Sequence, residues 1–201
     1  MIAIFLPIAC FIIGMTISIR YFGNLLDYII ENNDSRGVKN GPWITHLGVG
    51  QRATPRIEKA AIARVGLGAN DSTETIYWNA YVDTDGNHLH SKYDYYIKFT
   101  SQPLVKYNEK GFWSTTIYGN NKFLVPNLSK KYIIRSANGI VSNESSELSI
   151  FLSRNKPENH SNWLPLPEKD EYFSIALRCY IPENEIRSNA GNNALPSIIR
   201  V

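Results

Sequence analysis

The sequence predicts a mainly β protein: a jelly-roll-like antiparallel β-sandwich with one short helix, preceded by an N-terminal transmembrane helix. Three observations predict it. Residues 1–19 carry no charge and are dominated by Ile, Leu, Phe and Ala. From Ile76 onward, short runs alternate apolar and polar residues with a period of two. Gly, Asn and Pro separate these runs, without the spacing of βαβ units.

The leader comes first in the chain. MIAIFLPIACFIIGMTISI is about 28 Å long as a helix, enough to cross a bilayer's hydrocarbon core. A cleaved signal peptide would need a basic region ahead of the apolar run and a small-x-small site after it, and neither is present. The run ends instead at Arg20-Tyr21-Phe22, an interfacial flank, so residues 1–22 read as an uncleaved anchor. Pro7 falls early, where a helix loses least by it. Residues 23–42 read as a juxtamembrane segment and linker: FGNLLDYIIE is a helical continuation or interfacial turn, and NNDSRGVKNGP is polar and Gly-containing. Arg20, Arg36 and Lys39 follow the anchor while no Lys or Arg precedes it, so a literal positive-inside reading leaves the soluble part in the cytoplasm.

Residues 43–201 read as one folded domain. TPRIEKAAIARVGLGAN is its helix, with Thr54 as cap, Pro55 at the first position, Gly66 or Gly68 at the end, and Ile57, Ala60, Ala61 and Val65 on the packed side. Strands follow. Ile76, Trp78, Ala80 and Val82 form one apolar row, DTDG turns the chain, and Tyr93, Tyr95, Ile97 and Phe99 form the next. Further strands are expected at 112–118, 122–125, 131–135, 148–152 and 172–181. In the last, Phe173, Ile175, Leu177, Cys179 and Ile181 share the core face, which makes Cys179 a structural thiol; Cys10 lies in the anchor and cannot pair with it.

Composition narrows the function. The formal charge is +3, and without Arg20 the remainder holds 20 basic against 18 acidic side chains, so no nucleic-acid footprint is expected. Asp83, Asp85 and Gly86 begin like a calcium loop, but its closing position holds Asp94 where a Glu is needed. His88 and His90 share a strand face without a third ligand at metal spacing, so the stretch reads as a hairpin turn, and no metal or cofactor is expected. No G-x-S-x-G elbow or phosphate-binding glycine loop occurs; Ser114, Thr115 and Thr116 read as strand formers. Glu168, Asp170 and Glu171 read as a solvated acidic turn. Five Asn-x-Ser/Thr sequons, at Asn33, Asn70, Asn127, Asn143 and Asn159, read as composition. Aromatics are the richest remaining signal: Trp78 belongs to a core row, whereas Trp113 and Trp163 lie at element starts, where core and binding surface are both open readings.

An ordered set of short motifs points further. It comprises Gly41-Pro42-Trp43, the Ala61–Arg64 helix, Tyr77, Asp85-Gly86 with Leu89 and Tyr93, FWSTTIY from Phe112 to Tyr118, and Asn127. Asn162-Trp163-Leu164-Pro165, Pro167, Leu177-Arg178 with Tyr180 and Pro182, and Pro196 complete it. Across roughly residues 41–201 this resembles the bacterial family of domain of unknown function 1214 (DUF1214). Two turns depart from the family pattern, at Gln102-Pro103 and Ser145-Ser146. The resemblance implies a jelly-roll domain, often preceded by a second domain that is lacking here, with short members anchored in the bacterial envelope. It supplies no catalytic residues. It points to a periplasmic domain on a single-pass inner-membrane anchor, against the literal charge reading.

The expected role is a binding or interaction module rather than an enzyme, its partners being the membrane, through the N-terminal helix, and an envelope protein or glycan. The residues expected to form the ligand or partner surface are Trp113, Tyr118, Asn162, Trp163 and Arg178. The alternative is a hydrolase acting on envelope carbohydrate, which predicts a cleft with two carboxylates about 5–10 Å apart beside Trp113 or Trp163. Assembly through an exposed sheet edge is a third reading. In the stretch SNWLPLP, Pro165 and Pro167 are expected to stiffen an extended approach, Leu164 and Leu166 to face one side, Trp163 to cover the core edge, and Asn162 to hold the reversal.

Overall fold

The computed structural model describes residues 2–31, 37–66, 68–99, 107–137, 140, 148–158, 162–189 and 191–201. The sequons at Asn33, Asn143 and Asn159, both family departures and the first part of the linker lie outside these residues.

Helix α1, Ile2–Glu31, is longer than the expected anchor and includes Pro7. Its 24-residue stretch Pro7–Ile30 is long and apolar enough to cross a membrane. Exposure divides it: residues 7–22 are solvent-facing throughout, whereas Gly23, Leu25, Leu26, Asp27, Ile29 and Ile30 are half-buried. The partner is α2, Arg56–Val65, tied to α1 by an Arg64–Asp27 ion pair at 3.0 Å. The α2 helix follows Pro55 and ends at Gly66, as the sequence indicates, but no side chain caps it: the Thr54 hydroxyl donates instead to the Gly48 carbonyl at 2.5 Å. Of its expected packed side only Ala61 is buried, because α2 packs along α1 and not into the sandwich core.

Two sheets make the domain. The larger is ordered β1 (Val38–Asn40), β2 (Trp43–Thr45), β3 (Thr75–Ala80), β9 (Phe173–Pro182), β5 (Tyr107–Gly119) and β6 (Ile133–Arg135). The smaller is ordered β10 (Ser197–Arg200), β4 (Tyr95–Phe99), β7 (Leu148–Ser153) and β8 (Trp163–Pro165). Helix α3, Asn184–Ser188, joins β9 to the C-terminal segment. Strand β1 thus lies in the segment read as linker. Pairing is antiparallel except between β7 and β8, which run parallel. Proline is tolerated at Pro165 because β8 is an edge strand.

Alternation explains the core. Ile76 and Trp78 of β3, Ile175 and Leu177 of β9, and Ile97 and Ile150 of β4 and β7 are at most 1% exposed. Aromatic pairs bridge the layers: Tyr95 meets Phe173 edge-on with centroids 5.6 Å apart, and Phe99 meets Trp113 at 5.0 Å. Two expectations fail locally. Residues 122–125 form a turn in place of a strand: Lys122 has φ 65°, the Gly119 N–H donates to the Phe123 carbonyl, and only Val125 is buried. Ile181 leaves the core face and is 36% exposed, because its φ of 53° breaks the alternation where β5 slips register between Tyr107 and Phe112. A β-branched side chain is seldom held in that left-handed region, and here Ile181 N–H bonds the Glu74 carbonyl at 2.8 Å.

Candidate functional site

The five residues read from the sequence part company in three dimensions. Trp113 and Trp163 are each 3% exposed, so neither ring offers a face to a ligand. Trp113 points inward from β5 onto Phe99. Trp163 anchors β8 on β7 by donating from Nε1 to the Ser153 carbonyl at 3.2 Å and to its hydroxyl at 3.0 Å. Asn162 is half-buried, its side-chain amide donating to the Ser149 carbonyl at 3.2 Å. It holds the chain reversal, while Leu164 and Leu166 are both buried. The candidate surface narrows to Arg178 and Tyr118.

These two meet on the outer face of the larger sheet, the side turned away from the smaller one. Register creates the meeting. Ser114 of β5 lies across from Arg178 of β9 on one side and Arg135 of β6 on the other, and Thr116 and Tyr118 follow Ser114 at the strand period of two. Arg178 donates to the Tyr118 hydroxyl at 2.6 Å and to Thr116 Oγ1 at 3.1 Å. Its guanidinium carbon is 5.6 Å from the centre of the Tyr118 ring. Two neutral oxygens thus orient a half-buried cation that has no carboxylate partner among the described residues. A guanidinium carries five N–H donors, so the two bonds leave capacity for an anion.

Sequence reasoning missed Ser114 and Thr116 as members of this group. Both are buried, at 0% and 3% exposed, on the face turned away from the smaller sheet. The Ser114 hydroxyl has no hydrogen-bond partner among the described residues. A buried hydroxyl left unpaired costs about 1–3 kcal/mol, so its position beside Arg178 requires explanation. The alternation of FWSTTIY separates Ser114, Thr116 and Tyr118 from Trp113 and Thr115, but only cross-strand register brings Arg178 to them.

Other candidate chemistry resolves into structure. The buried Asp83 carboxylate accepts from the Asp85 and Asn87 backbone N–H groups at 3.1 and 2.8 Å, and Gly86 supplies the left-handed φ of 86° that closes the turn. His88 and His90 flank the Tyr172 ring at 5.9 and 5.0 Å. Among the described residues no three His, Cys, Asp or Glu side chains converge as metal ligands. In the acidic turn, Asp170 pairs with Arg154, whose hydrogen bond holds the carboxyl below the usual range. Burial, with the Glu183 charge second, pushes the Cys179 thiol up to about 12.

The family described as protein of unknown function (DUF1214) matches residues 74–184, more than half of the chain. The chain belongs to that family. The matched DUF1214 segment runs from the start of β3 through β9 and contains the whole outer-face cluster. A crystal structure of the VPA0106 protein from Vibrio parahaemolyticus shares the fold, with a TM-score of 0.59 and 24% identity over 94% of this chain. The alignment covers 43% of the Vibrio chain, so this protein spans less than half the length of that relative. An uncharacterised protein from Burkholderia cenocepacia aligns over 92% of this chain and 42% of its own, with 12% identity and a TM-score of 0.43. Among curated proteins nothing matches.

Proposed function

We propose that this DUF1214 protein is a membrane-anchored binding module of the bacterial envelope, its domain on the periplasmic side of the inner membrane, and that it holds an anionic group of an envelope protein or glycan at Arg178. The observation carrying this reading is the cation itself. Arg178 is fixed by Tyr118 and Thr116 on the sheet face turned away from the smaller sheet, across from Ser114, whose hydroxyl has no partner among the described residues. A charged group held by neutral oxygens in place of an acid is preorganised for a ligand that brings the negative charge.

The competing carbohydrate hydrolase needs a carboxylate pair beside an aromatic platform. Trp113 and Trp163 are core residues and Asp170 is engaged by Arg154, so nothing in the described geometry favours that reading.

The test is in-cell photo-crosslinking of the full chain from Asn79 and Ser174, outer-face positions flanking the cluster. A defined envelope protein or glycan is expected to be captured, and Arg178→Met, which preserves length but not charge, is expected to abolish capture without lowering membrane content. Undiminished capture by that variant would refute the anion site. Protease access in spheroplasts checks the side of the membrane separately: protection of the domain would place it in the cytoplasm.

A further inference from the structure

The junction between anchor and domain carries a second site. Residues 7–22 of α1 are exposed and apolar up to Arg20, and Tyr21 and Phe22 pack edge-to-face at 6.0 Å with both rings open to their surroundings. Such aromatics sit at headgroup level in a bilayer. At Gly23 the helix becomes half-buried, and Asp27 is already ion-paired to Arg64 at 3.0 Å, so the hydrocarbon region ends before that pair.

Arg20, Gly23 and Asp27 stand at i, i+3 and i+7, one stripe of α1. Arg64 of α2 lies over this stripe, with one guanidinium nitrogen 3.9 Å from where a Cβ on Gly23 would stand and the other at Asp27. Neighbouring positions on a stripe are about 5–6 Å apart, so the base of the Arg20 side chain stands one helical turn before the position that Arg64 covers. Arg20 is exposed, and among the described residues it has no acidic partner. Arg64 thus lies between Arg20 and the single carboxylate of this stripe, Asp27.

We infer that Arg20 and Arg64 form a phosphate site that takes an anionic phospholipid headgroup and fixes the domain against the bilayer. The chemistry is bidentate guanidinium recognition of a phosphodiester, favoured by the weak hydration of a guanidinium. Asp27 competes for Arg64, which sets the strength of the site. The inference rests on the anchor reading, which alkaline carbonate extraction tests by itself: release of the full chain from membranes would remove both.

The experiment is native mass spectrometry of the full chain in detergent with equal phosphatidylglycerol and phosphatidylcholine of matched acyl chains. Retention of phosphatidylglycerol is expected to exceed that of phosphatidylcholine by roughly tenfold, the worth of one charge-assisted hydrogen-bond pair. Arg20→Gln and Arg64→Gln should each lower the preference several-fold, and the double variant should erase it. Asp27→Asn separates recognition from docking. It breaks the same ion pair as Arg64→Gln but leaves both guanidinium groups, so the preference should hold or rise. A fall as large as that of Arg64→Gln would mean that the loss comes from undocking α2, and would overturn the site. Equal retention of the two lipids would overturn it too, and displacement of the lipid by inorganic phosphate would overturn the lipid assignment.

Discussion

The two faces of the β5–β9 pair are built from the same residues in alternation and do opposite things. Inward, Trp113 lies across from Cys179, Thr115 from Leu177, and Ile117 from Ile175. All six are at most 4% exposed and pack toward the smaller sheet. Outward, Ser114 lies across from Arg178, Thr116 from Ala176 and Tyr118 from Ser174. Of these outward residues, Arg178, Tyr118 and Ser174 are half-buried while Ser114, Thr116 and Ala176 are buried, and Arg178 bonds both Thr116 and Tyr118. A face that only needed solvent would be cheaper with Lys, Glu and Thr at these positions. The difference teaches that the inner row sets stability while the outer row, on the reading proposed above, serves a ligand, and each part of that division can be attacked separately.

The largest blow falls on the inner row. Leu177 is 0% exposed at the centre of the longest strand contact, and Leu177→Ala is expected to lower unfolding free energy by about 2–5 kcal/mol in urea titration of the full chain in detergent. Crosslinking from the outer face should persist wherever the variant remains folded. A loss under about 1 kcal/mol would mean the inner row is not the main source of stability.

Next in size is a pH effect confined to the same row. Cys179 is pushed up to about 12, chiefly by burial, so folding favours the neutral thiol. A raised folded-state value contributes stability that is complete below the unfolded thiol's value and is lost as pH rises toward about 12. From about pH 9 upward, stability is expected to fall by as much as about 1.4 kcal/mol per pH unit through this group alone. Cys179→Ala should be less stable at pH 7 yet show a flatter alkaline slope than the natural chain. Identical slopes would show that the thiol titrates alike in both states.

How much of this was legible in the sequence follows from which interactions are local. The row Phe173, Ile175, Leu177 and Cys179 announces its strand and its buried side, and TPRIEKAAIARVG announces α2. Strands β1, β2, β8 and β10 are three or four residues long, too short for alternation to register; β2, β8 and β10 form on the edges of the longer β3, β7 and β4, and β1 then adds to β2. Ile181 follows the pattern perfectly in sequence and breaks it in space, since a bulge is set by the partner strand and leaves no local signature. The candidate site divides the same way. Arg178 and Tyr118 were readable as polar and aromatic members of motifs, but Trp113 and Trp163 carried the same aromatic signal while serving the core. Ser114 resembled any strand hydroxyl until its lack of a partner and its place beside Arg178 were visible.

The finest test uses two adjacent hydroxyls on opposite faces. Ser114 and Thr115 are both buried, and neither hydroxyl finds a partner among the described residues. If both were packing residues, removing either hydroxyl would be equivalent. Thr115→Val keeps the shape of an inward side chain and deletes its unpaired oxygen, which should raise unfolding free energy by about 1 kcal/mol with outer-face crosslinking unchanged. Ser114→Ala should also stabilise the domain, by about 0.5–1 kcal/mol, and on the proposed reading should weaken capture as well, because that residue lies across the strand register from Arg178. A gain in stability at both positions, with loss of capture at Ser114 alone, separates a hydroxyl kept for recognition from one tolerated by the core. Equal behaviour of the two variants in crosslinking would collapse the distinction between the faces and leave Arg178 to act alone.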